Sequence, residues 1–174
     1  MADIPAKDVF ISYAHKDNEG TDPSKRWLDR LLEQLEPLRQ QDDLTVCSDL
    51  DLEIGEDWHA MIQGHLQGAK VAVLMVSPAF LASKYIRNSE LPILLKNAKE
   101  KGVVILPIIL RPCLFQETKF KYPDAQTGPE EFLLASLQAA NSPTKPLSGL
   151  SETEQDQVLL SVARRLLRIV SRRP

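Results

Sequence analysis

The sequence predicts a single three-layer α/β sandwich around a small, mainly parallel sheet. Short apolar β-forming runs alternate with segments of helical period in the order βαβαβαβ, before an irregular region and a closing helix. Within residues 71–110, VAVLMV and VVILPIIL flank a helix-rich stretch, and strand, crossover and strand at that spacing form a right-handed βαβ unit. A chain of 174 residues suits one domain with a real core.

In chain order, residues 1–7 are a polar leader and DVFISY, from Asp8 to Tyr13, is the first strand. AHKDNEGTDPS is a loop that ends at Ser24, a residue type suited to an N-cap. Trp27, Leu28, Leu31, Leu32, Leu35 and Leu38 recur at helical spacing, and Pro37 marks the last turn. LTVCS is the second strand. The tract from Gln40 to Asp57 holds seven acidic residues and no basic one, with Gly55 as a tight turn and Asp57 as the cap of the next helix. After the Val71 strand, Ser77-Pro78 opens the crossover, and the Val103 strand follows it. Pro92 has no amide hydrogen and disfavours helical geometry at Leu91, which predicts a kink or a helix start near Glu90. A helix starting there would set its positive pole beside that carboxylate. EEFLLASLQAA, residues 130–140, reads as a short helix, and Lys145 to Leu147 as an irregular edge strand. Ser151 and Glu154 form a capping box for a last helix whose terminal arginines suit its negative pole.

The net charge of −3 gives no general attraction to nucleic acid or anionic membrane. The first twenty residues lack a signal-peptide apolar core, and no run approaches a membrane span. Two cysteines, Cys47 and Cys113, fit reducing cytosol better than a disulfide scaffold, so a cytoplasmic location is expected. No G-x-G-x-x-G or G-x-x-x-x-G-K-[ST] loop and no G-x-S-x-G elbow occurs, which argues against a glycine-clamped dinucleotide, a P-loop hydrolase and a serine esterase. His15, His59 and His65 are not spaced as metal ligands, and no metal is expected. A response-regulator receiver is excluded where its acids should stand: the first strand ends in Ser12-Tyr13 and the third in Ser77-Pro78.

DVFISYAHKD, the loop SDLDLEIGED, VSPAFLASKYIRNSEL and ILPIILRPC together resemble the Toll/interleukin-1 receptor (TIR) domain of the bacterial type, from Asp8 to about Arg168. The resemblance implies a flavodoxin-like sheet of four or five strands in the order 2-1-3-4-5. It marks residues 8–171 as the TIR domain and allows for a sensor or partner domain beyond 174. Such domains cleave NAD+ between nicotinamide and ribose, many as effectors of antiphage defence, or assemble as non-enzymatic adaptors. It implies Glu90 as the catalytic acid, Asp49 and its loop as one side of the pocket, and Ser12 and Tyr13 as nucleotide contacts. NAD+ is then the substrate, with no cofactor. Self-association between TIR domains, which completes the family's pocket across subunits, raises the activity. Many members read S-x-W-C-x-x-E; here Ile86 stands four places before the acid and the aromatic, Tyr85, five, where it is a candidate stacking platform for a base of the bound nucleotide. The proline-glycine of the family's loop is replaced by Glu53-Ile54-Gly55.

The chemistry asked of Glu90 is modest. Nicotinamide leaves as a neutral molecule, and a fixed carboxylate can stabilise the positive charge growing on the ribose, as in glycoside hydrolysis. A plainer role stands beside each of these residues. Glu90 is a solvated helix acid, Tyr85 and Tyr13 are core aromatics, and Ser12 ends its strand. Trp27 and Trp58 are core. The acidic tract is either a solvated rim or a surface that meets lysines and arginines of a neighbouring copy in open filaments. The alternative function is a TIR–TIR interaction module in signalling, or one that interferes with a host.

Overall fold

A computed structural model describes residues 7–48, 58–121 and 131–172. Four parallel strands form the main sheet: β1 (Val9–Ser12), β2 (Val46–Ser48), β3 (Val71–Val76) and β4 (Val104–Ile109), in the order β2-β1-β3-β4. Among the described residues five α-helices accompany it: α1 (Trp27–Gln40), α2 (Trp58–Gly68), α3 (Pro78–Ala82), α4 (Leu91–Lys101) and α5 (Glu152–Ser171). The flavodoxin-like order of the first four strands is therefore as the sequence implies. Two further short strands, β5 (Lys119–Lys121) and β6 (Glu131–Leu133), pair antiparallel with each other and stand apart from the main sheet.

Alternation along the strands sorts the core into two layers. Val9, Ile11, Val73, Met75, Leu106 and Ile108 face Leu28, Leu31 and Leu35 of α1 and Leu159, Val162 and Leu166 of α5. Phe10, Ala72, Leu74, Val76, Ile105 and Ile109 face Leu66 of α2, Phe80 of α3 and Leu91, Leu94 and Leu95 of α4. Every residue of β3 is buried, as expected of a central strand covered on both faces. Arg30 joins the two helices of the first layer: its guanidinium donates to Gln155 and Asp156 at 2.7 and 2.8 Å and lies over the Trp27 ring. The Ser151–Glu154 capping box is formed at the start of α5.

Three expectations are corrected. The first helix is not capped by Ser24. Asp22 caps a short 3₁₀ turn, Pro23–Lys25, and α1 starts at Trp27. Residues 131–140 are β6 followed by a 3₁₀ turn at Leu134–Ser136, not a helix, because Phe132 and Leu134 pack on the α4 side through an extended hairpin. No strand forms at 145–147. The free edge of β4 is met instead by Ala140, whose amide donates to the Pro107 carbonyl at 2.8 Å, and by the side chain of Asn141. That carboxamide accepts from the Ile109 amide and donates to its carbonyl, both at 2.9 Å, so one side chain completes the ladder as a strand would. The Gly55 turn and the Asp57 cap lie outside the described residues.

Asn141→Ala removes both bonds to Ile109 and should cost about 1–3 kcal/mol of stability. The expected result is a lower urea midpoint with an unchanged slope, measured by circular dichroism.

Candidate functional site

The crossover after β3 is not one helix. Ser77 caps α3 by accepting from the Phe80 amide, and the chain breaks at Ser83, which is extended. The Ser83 hydroxyl then accepts from the Ile86 amide at 3.3 Å, so this residue ends one helical segment and caps the next. Helical geometry resumes at Lys84 and passes into a π turn, Ile86–Glu90, in which the Leu91 amide bonds the Ile86 carbonyl. α4 continues from it directly. Pro92 explains the irregularity, because its ring would crowd the carbonyl four residues back and it has no hydrogen to donate. The disturbance expected near Glu90 is present as the π turn, and α4 is entered at Leu91, although helical geometry already runs from Lys84, six residues before Glu90. The positive pole belongs to Ser83 and its neighbours, and a pole acts only across the first turn.

The π turn directs Glu90 inward, where it is 4% exposed. Ser12, at the carboxyl end of β1 and 1% exposed, donates its hydroxyl to Glu90 Oε2 at 2.5 Å. A second bond mirrors the first: Ser77, at the end of β3, donates to Asp17 Oδ2, also at 2.5 Å. Each strand end thus grips the acid carried by the segment that follows the other strand. The two bonds lace β1 and β3 together at their carboxyl edge, where open α/β sheets bind ligands.

A cavity of about 640 Å³ opens beside this lacing. Tyr13, Ala14, His15 and Lys16 form one wall, and Ala79, Ala82 and Ser83 form a second. Tyr85, Ile86 and Glu90 complete it. Alanines at 79 and 82 keep the second wall low and apolar. The Tyr13 and His15 rings stack at 5.4 Å with 22° between their planes. The arrangement is an apolar cleft with a buried carboxylate and an exposed lysine among its lining groups, within the size range of small-molecule sites.

Of the residues singled out in the sequence, Ser12 and Glu90 are bonded to each other, and Tyr13 and Tyr85 line the same cavity. Tyr85 is 36% exposed, whereas Ile86, at the position of the family's aromatic, is 4% exposed. Asp49 lies outside the described residues. Trp27 is core. His15, Lys16, Ala79, Ala82 and Ser83 were not foreseen as cavity walls. The signal available for His15 and Lys16 was their position directly after a central parallel strand. Among the described residues no cluster of metal-ligating side chains occurs, and no helix is long and apolar enough to cross a membrane. Among the described residues Cys47 and Cys113 are not joined in a disulfide; burial, with Glu117 and Asp17 nearby, pushes the Cys113 thiol up.

The sequence profile of the TIR domain matches residues 9–139, and the chain belongs to that family. An uncharacterized protein of Sinorhizobium fredii, y4lF, is 32% identical over 112 residues, which cover 64% of this chain and 32% of that protein. The chain thus matches about a third of that relative's length. Among solved structures, the TIR domains of the activated Roq1 resistosome directly recognizing the pathogen effector XopQ align at 16% identity and a TM-score of 0.47. That alignment covers 97% of this chain and 86% of that one.

Asp17 gives a pH test of the lacing. Burial raises its carboxyl above the ordinary 3.8, and the Ser77 hydroxyl and the Arg111 charge draw it only partly back. Between 3.8 and that raised value the folded chain holds a proton that the unfolded chain has released. Stability therefore falls as pH rises through this window. Asp17→Asn stays neutral throughout. In urea titrations at stepped pH, the wild type should lose stability relative to D17N as pH climbs above 3.8. A difference between the two that is flat with pH would contradict the assignment.

Proposed function

We propose that this TIR domain is an NAD+ glycohydrolase that cleaves the nicotinamide–ribose bond, releasing nicotinamide and a proton, with ADP-ribose formed when water takes the ribose carbon and a cyclised relative when a group of the same molecule takes it in place of water. The observation that carries the reading is the buried Glu90 carboxylate, fixed by Ser12 beside a small-molecule-sized cavity at the carboxyl edge of the sheet. A carboxylate held rigidly in a water-poor wall stabilises positive charge on the ribose without reorganising at the moment of reaction. Because nicotinamide departs neutral, no acid is needed at the leaving group. Tyr13 and Tyr85 offer aromatic surface to the substrate, and the family resemblance assigns Asp49 and its loop to one side of the pocket. Membership of the TIR family supports the assignment of Glu90 as the catalytic acid.

The domain acts in the cytoplasm of a bacterium as an effector of antiphage defence. It is weakly active until a fused or separate sensor domain clusters it through TIR–TIR contacts. Clustering orders the pocket across neighbouring copies, so the lone domain turns over slowly.

The deciding experiment tethers the chain on a scaffold, supplies NAD+ and follows nicotinamide and ADP-ribose by chromatography, with Glu90→Gln alongside. The tethered wild type should exceed the free domain. E90Q should lose about 10²–10³-fold in kcat, the cost of removing one preorganised stabilising group. Intact NAD+ with a folded, tethered wild type, or normal turnover by E90Q, would sink the reading.

A further inference from the structure

A one-turn π-helix is a poor structure in isolation and survives where tertiary contacts hold it. Pro92 makes regular α geometry unfavourable at this point, but it does not select the turn that buries Glu90 over a frayed or differently kinked segment. Something outside the crossover has to do so. Ile86 grips the core at the start of the turn, and Glu90 grips Ser12 at its end. Between them, Arg87 points the other way, toward β5.

The Arg87 guanidinium donates to the Lys119 carbonyl at 3.0 Å and lies 5.4 Å from the centre of the Phe120 ring. Phe120 is itself 3% exposed and shares a core cluster with Ile86, Leu91 and Phe80. Its cross-strand partner is Phe132, and the Leu134 amide closes the hairpin on the Thr118 carbonyl at 3.0 Å. The hairpin is thus anchored in the same apolar layer as the π turn, and Arg87 joins the two by a directed bond and a cation–π contact. This accounts for a strand pair that adds nothing to the main sheet.

We propose that Arg87 is a positioning residue for Glu90: it ties the π turn to the β5–β6 hairpin and so sets where the carboxylate stands. Arg87 lies outside the cavity wall and touches no substrate; it acts through the backbone that carries Glu90. The catalytic part of the proposal rests on the NAD+-cleaving reading above, whereas the bracing of the turn does not.

The test compares Arg87→Met, which keeps an apolar stem without the charge or donors, and Arg87→Lys, which keeps a cation and a donor. Both are measured as tethered protein beside the wild type. R87M should lower kcat about tenfold with KM within about twofold, while R87K recovers most of kcat. Hydrogen exchange of the Leu91 amide, the donor of the π bond, should be faster in R87M, while amides of β1 and β3 keep wild-type protection. Wild-type turnover in R87M, a loss that falls in KM, or no recovery by R87K would overturn the catalytic part. Unchanged exchange at Leu91 in R87M would overturn the brace itself. If the wild type leaves NAD+ intact, the glycohydrolase reading fails, and the exchange measurement still decides the brace.

Discussion

Burying a carboxylate is tolerable only when its lost hydration is replaced, and Glu90 meets that constraint through Ser12. The pair is 78 positions apart in sequence, so it forms only if β1 and β3 lie side by side and in register. Ser12 stands opposite Leu74 and turns toward the α4 side with Phe10. A slip of one residue would turn it toward α1 and α5 and break its bond to the acid. Strand pairing, crossover geometry and the candidate site are therefore one condition rather than three.

The reciprocal bond between Ser77 and Asp17 extends this logic. Segments leaving a sheet edge are free to diverge, and here each is held by the strand it did not come from. The cavity lies between the two segments because they are held apart at a fixed separation. Its walls are then made by what the chain places there: alanines on the short α3 helix, and the Tyr13–His15 stack on the loop after β1. Hydroxyl donors suit this task, since serine is small enough to be buried at a strand end and can donate to an acid while accepting a helix-capping amide, as Ser77 does.

The crossover shows how one residue can shape a site it never touches. Pro92 denies regular helix to the preceding turn, and the chain responds with a π turn rather than an interruption. The turn lets Glu90 and Leu91, neighbours in sequence, both be buried: one beside Ser12 and the cavity, the other in the apolar layer. The hairpin beyond β4 lies against the outer side of the same turn. Of its apolar residues, Phe120 falls in the irregular region of the sequence and Phe132 in the stretch that reads as a short helix.

Elements whose signal is local were legible in the sequence. The four strands of the main sheet, the amphipathic faces of α1 and α5, the Ser151–Glu154 cap and the disturbance at Pro92 all follow from residue types at short spacing, where backbone sterics and capping act. The motifs that carry Glu90 and Ser12 are of this kind, and so is family membership. Elements that depend on what meets an edge were not legible. Residues 131–140 carry enough leucine and alanine to read as helix, yet the need to cover the α4 side draws them into a hairpin. Asn141 takes the place of an expected strand because one carboxamide can satisfy both groups of Ile109. The link from Ser12 to Glu90, the partner of Asp17, the contribution of His15 and Lys16 to the cavity and the attachment of Arg87 to β5 were settled only by tertiary structure. Each depends on groups brought together by parallel pairing and layer packing, and a linear spacing carries no record of which distant side chain will fill a desolvated position.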